Sequence, residues 1–132
     1  MGAAYELCQM GTQQCPIPLR IDQGLSVQHA PTFDYPESVS GELQNSGHGA
    51  AYVLDHPEHD YTTLPSMSFE DYGVNETVYL ASWHVHTPAE HTVNGDRSKA
   101  ELHMVHHDAH GNHKAVLGIH IDPGVAESGF FA

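Results

Sequence analysis

Apolar and polar residues alternate over several stretches of this chain, and the alternation predicts strands. From Thr77 to His86 the positions Ser82, His84 and His86 fall on one face, with Tyr79, Ala81, Trp83 and Val85 on the other. Ala100 to His107 repeats the pattern, with Glu101, His103, Val105 and His107 opposed to Leu102, Met104 and His106. Val93-Asn94-Gly95-Asp96 reads as a turn, so the two stretches are expected to pair antiparallel. A further turn at Asp108-Ala109-His110-Gly111-Asn112 leads to a third apolar strand, 114–121, flanking the second. Nearer the N-terminus, Gly49 to Leu54 is expected to form a strand that follows a turn at Asn45-Ser46-Gly47-His48. Between Gln14 and Val27, Ile17, Leu19 and Ile21 alternate with Pro18, Arg20 and Asp22, which suits a short edge strand, because proline cannot serve a central ladder. Pro31 to Glu42 predicts loop with at most a strand fragment, and the polar stretch from Asp55 to Asn75 predicts a long surface excursion without an element. With no internal repeat and no helical period, the expected fold is mostly β, a single domain over residues 1–132.

Charge narrows the partners. Seventeen acidic residues against four basic ones give a formal charge of -13, which argues against nucleic acid and against an anionic membrane surface. No apolar run approaches the ~18 residues of a membrane span, and no charged-then-apolar start reads as a signal peptide. The two cysteines, Cys8 and Cys15, are too few for a disulfide scaffold. A bond between them requires their Cα atoms to lie within ~7 Å.

Thirteen histidines point to metal. His84 and His86, two residues apart on a strand, direct their rings to one face with Cα atoms ~6.6 Å apart. His103, on the neighbouring strand, completes a facial set of three imidazoles that leaves a fourth tetrahedral position open, as in a catalytic zinc site rather than a closed structural one. His107, His110 and His113 cluster about a turn, where solvation is the ordinary reading and a weak secondary copper or zinc site the other.

The run His84-Val85-His86-Thr87-Pro88-Ala89-Glu90-His91, followed by Ala100-Glu101-Leu102-His103-Met104-Val105-His106 and Ala115-Val116-Leu117-Gly118-Ile119, resembles the zinc-binding core of the alpha-class carbonic anhydrases. Cys8 to Ile17 resembles that family's early Cys-x-x-Gly-x-x-Gln-Ser-Pro-Ile segment, with Cys15 in place of the serine, and Asn45-Ser46-Gly47-His48 resembles its Asn-x-Gly-His. The resemblance implies a carbonic-anhydrase-like antiparallel or mixed sheet and Zn²⁺ held by His84, His86 and His103. It implies reversible hydration of CO₂ to bicarbonate and a proton by zinc-bound hydroxide, and a location outside the cytoplasm, secreted or periplasmic.

The same resemblance implies roles for single residues. Glu101 orients His103. Ser82 stands where the family has a glutamine behind the first ligand, and reaches His84 only through water. Glu90 receives a hydrogen bond from a threonine hydroxyl, Val105 and Val116 form the apolar wall for CO₂, and His48 exports the proton. His91 and His106 are expected to make buried hydrogen bonds instead of binding metal.

The chain ends where an alpha-class domain is expected to be about half finished, before the segment that carries the threonine for Glu90. Three readings stay open: a piece of a longer enzyme, a short divergent relative, or a catalytically weak or inactive histidine-rich zinc-binding or interaction protein. A sheet cut at that point would expose an unpaired edge and favour self-association.

Overall fold

The computed structural model describes residues 10–23, 30–47 and 49–129. The expectations for His48 and for a Cys8–Cys15 bond lie outside the described residues; Cys15 itself is exposed. In chain order the strands are β1 (Pro18–Leu19), β2 (Thr32–Asp34), β3 (Gly41–Asn45), β4 (Ala50–Leu54), β5 (Ser66–Asp71), β6 (Val74–His86), β7 (Thr92–Val93), β8 (Ala100–His107) and β9 (His113–Ile121). The mostly β expectation holds. Seven of these strands form one antiparallel sheet, and β1 and β7 form a separate parallel pair.

The long strand β6 organises the sheet. Its N-terminal half pairs with β5, from Asp71↔Val74 to Ser66↔Tyr79, and its C-terminal half pairs with β4, where Ala51 faces His84. β5 and β4 therefore lie end to end along one edge of β6. The other edge carries β8, then β9, with His84 opposite His103 and His103 opposite Gly118. In the turn after β7, Asn94 and Gly95 take φ values of 50° and 80°, the left-handed pair that a tight hairpin-type turn requires.

Three expectations are corrected. The stretch 55–75 is not structureless: it contains β5 and a 3-10 turn over Tyr61–Thr63, and its Leu64 and Met67 are buried. Met67 and Phe69 do alternate with serines, and Tyr72-Gly73, at φ 47° and 80°, closes a hairpin with β6. Gly41–Asn45 is a full strand, because it pairs along its whole length with β4. Gly41 allows that approach, since a Cβ there would stand 2.2 Å from the Val53 carbonyl oxygen. The expected edge strand within 14–27 shrinks to Pro18–Leu19, followed by a 3-10 turn over Ile21–Gln23.

Strand β6 also departs from simple alternation. Leu80 stands opposite His106 and Ser82 opposite Val105, so Ala81 is an extra residue between them. Tyr79 accordingly stands opposite His107, in the row of the histidine face, and Leu80 replaces it among the core positions. On the core face Leu54, Leu64, Leu80, Ala81, Leu102 and Met104 form the buried cluster, and Trp83 stacks on its cross-strand partner Tyr52 with centroids 4.5 Å apart. His106, fully buried, donates from Nδ1 to the Met104 carbonyl at 2.9 Å and accepts the Tyr35 hydroxyl at Nε2. The expectation of a buried, hydrogen-bonded His106 is met.

Leu80→Ala is expected to lower unfolding free energy by about 2–5 kcal/mol, read from urea denaturation, because the surrounding side chains cannot fully close the space. Burial lowers the His106 pKa, so unfolding takes up a proton there once pH drops below the ~6.5 of a free imidazole. The urea midpoint is therefore expected to fall as pH goes below that value, and His106→Gln to flatten part of the dependence.

Candidate metal centre

The pleat of β6 and β8 brings His84, His86 and His103 to one face, because residues paired across antiparallel strands project to the same side. Their ring centroids stand 4.5–5.4 Å from one another. One ligand atom from each lies within 4.8 Å of the other two. His84 Nε2 and His86 Nε2 approach to 3.0 Å. Two lone-pair nitrogens at that distance repel unless a proton or a cation lies between them. Burial, and then the neighbouring His86 and His103, push the His84 pKa down, so its ring stays neutral and able to donate a lone pair. Tetrahedral Zn–N bonds of ~2.0–2.1 Å set neighbouring donors ~3.3 Å apart, close to the 3.0 Å between His84 and His86, and His103 offers the third donor within 4.8 Å of both.

Glu101 fixes the third ring. Its side chain is 2% exposed and accepts four hydrogen bonds. Oε2 accepts the backbone N–H of Glu90 at 2.9 Å and of His91 at 2.8 Å, while Oε1 accepts His91 Nδ1 at 2.7 Å and His103 Nε2 at 3.0 Å. With Nε2 of His103 holding the proton, Nδ1 keeps the lone pair and becomes the ligand atom. Burial alone would raise the Glu101 pKa, but the His91 N–H and the two imidazoles outweigh it and hold it at about 2. His91 thus makes the hydrogen bond expected of it, to the same carboxylate that orients His103.

The remaining expected residues lie nearby in different ways. Ser82 shares the histidine face, and among the described residues it makes no direct hydrogen bond to His84. Val105 and Val116 are cross-strand partners beside His103; Val105 is half-buried and Val116 is 57% exposed. Glu90 lies at the rim, with Oε1 3.5 Å from His86 Nδ1 and Oε2 3.9 Å from His103 Nδ1. That places it against two of the rings.

Two positions on β9 enclose the Glu101 carboxylate. Gly118 faces His103, and a Cβ there would stand 2.9 Å from Glu101 Oε1, so the glycine leaves room for the carboxylate. His120 faces Glu101 from β9, with Nε2 3.8 Å from Oε2 and Nδ1 3.2 Å from the Ser98 hydroxyl. Neither role follows from the predicted flanking of the second strand by the third, because both depend on the register between them. Gly118→Ala is expected to displace Glu101 and lower Zn²⁺ affinity about 10–100-fold, as Glu101→Gln should, measured by competition with a chromophoric chelator.

The family model for eukaryotic-type carbonic anhydrase matches residues 2–131. Alpha carbonic anhydrase 4 of Arabidopsis thaliana is 55% identical over 117 residues, covering 87% of this chain and 39% of its own length. Alpha carbonic anhydrase 7 of the same plant is 35% identical over 104 residues, covering 77% of this chain and 34% of its own. Among solved structures, the alpha-carbonic anhydrase of Photobacterium profundum superposes with a TM-score of 0.72 at 27% identity, covering 95% of this chain and 51% of that one. The Thermovibrio ammonificans enzyme, solved with the inhibitor sulfanilamide, gives 0.69 at 30% identity, covering 91% and 48%. The chain therefore spans about half or less of the length of these relatives. On this sequence match, with the sheet and the three convergent histidines that accompany it, the chain belongs to the alpha carbonic anhydrase family.

Proposed function

We propose that this chain carries the metal-binding part of a carbonic anhydrase site and serves the reversible hydration of CO₂ to bicarbonate and a proton. The observation that carries the reading is the convergence of one ligand atom each from His84, His86 and His103, with Glu101 engaging His103 Nε2 and leaving Nδ1 to bind. A Zn²⁺ ion bound there supplies Lewis acidity strong enough to ionise water near neutral pH.

The chain's own residues supply the surroundings. Val105 and Val116 form an apolar strip beside the imidazoles, suited to a small nonpolar gas that needs no cationic clamp. Glu90 places a carboxylate at the rim, where it can accept a hydrogen bond and orient a polar group entering the site. His48 is the proposed proton carrier, since imidazole titrates near neutral pH. Its chain neighbours Gly47 and Gly49 close the turn between β3 and β4, and Ala51, just beyond, faces His84. Association with a second chain through β9 fits the same reading, because among the described residues β9 pairs with β8 alone.

One observation favours a second reading, a zinc-binding protein with little or no hydratase activity: Glu90 rests against His86 and His103, where its carboxylate can hold the rings instead of orienting a reacting group. Metal analysis and stopped-flow CO₂ hydration on one purified sample separate the two. About one zinc per chain, with hydration lost in His103→Ala, is the expected result. Zinc without hydration would support the second reading, and absence of zinc would refute the three-histidine site.

A further inference from the structure

A second group of imidazoles lies at the opposite end of the β8–β9 hairpin. His107 and His113 are cross-strand partners there, with ring centroids 4.4 Å apart and planes inclined at 34°. That spacing matches the 4.5 Å between His86 and His103. His107 Nδ1 is buried and has no hydrogen-bond partner among the described residues. Such an atom is rare in folded proteins, and a bound water or ion is among its ordinary partners.

The surroundings hold the pair in place. The Asp108 carboxylate accepts the backbone N–H groups of His110 and Asn112, each at 2.9 Å, and the Asn112 side-chain amide at 2.8 Å. It is thereby committed to the turn. Gly111, at φ 86°, lies so close to Tyr61 that a Cβ would meet the ring at 2.6 Å. Tyr61 packs on His107 at 5.3 Å and on His56 at 4.4 Å. Burial first, and then the proximity of His113, lower the His107 pKa and keep its ring in the neutral form that coordinates metal. His113 is exposed, so an ion can reach the pair from solvent.

We propose that His107 and His113 form a second transition-metal site, a two-imidazole chelate for a borderline divalent ion, with water completing the coordination. Cu²⁺ stands highest in the affinity order for nitrogen ligands and is the ion of choice for detection. The site is separate from the three-histidine centre, since His107 lies four residues, ~13 Å, along β8 from His103.

The test is a Cu²⁺ titration of the full chain, first given one equivalent of Zn²⁺, followed through the ring signals of each histidine in ¹⁵N–¹H spectra. Paramagnetic broadening is expected to erase the His107 and His113 signals below one equivalent of copper and to spare those of His91. In His113→Ala, an exposed substitution, the broadening of His107 is expected to be lost. Retention of the His107 signal in the parent protein, or its equal loss in His113→Ala, would overturn the proposal. Broadening of His84, His86 and His103 as well would report exchange of zinc for copper at the first site, a result that leaves the His107 outcome legible on its own.

Discussion

A single buried carboxylate ties the sheet to the metal centre. Glu101 accepts two backbone N–H groups from the segment after β6 and two imidazole N–H groups, one of them from a ligand histidine. An unpaired carboxylate in that position would be costly, and a fully satisfied one is rigid. Because the four donors come from β8 and from the loop carrying Glu90 and His91, the same group that selects the tautomer of His103 also holds that loop against the sheet. Gly118 and His120 on β9 complete its enclosure. The electrostatic state of the site and the course of the chain around it are thus settled by one side chain.

The three histidines themselves illustrate how little is needed beyond strand geometry. Ring spacing follows from the pleat on β6 and from direct cross-strand pairing with β8. No helix terminus and no residue at positive φ is used to aim them. The motifs that carry the family resemblance sit on these same central strands and on the loop that Glu101 holds.

Much of this is legible in the sequence where side chains alternate cleanly. The alternation marks β8 at its observed bounds, places the strand after Asn112 within a residue, and, through the intervening turn, implies the pairing that unites His84 with His103. The strand β5 escapes such a reading because its outward residues are serine and glutamate, so that Met67 and Phe69 look isolated in an acidic stretch. β3 escapes it because Gly41 and two nearby prolines suggest loop, whereas its order comes from β4 beside it. Contacts such as Gly118 with Glu101 require knowing both pairing and register, and no single stretch of sequence carries that information.

The extra residue in β6 falls at a gap between its neighbours. β5 ends its pairing at Tyr79 and β4 begins at Ser82, so Ala81 stands where one partner has stopped and the next has not started. A shift of the backbone there disturbs no ladder on that side. The inside-outside phase of Val74–Leu80 is therefore independent of the phase of Ser82–His86: what is continuous as a chain is, in its sidedness, two strands joined end to end.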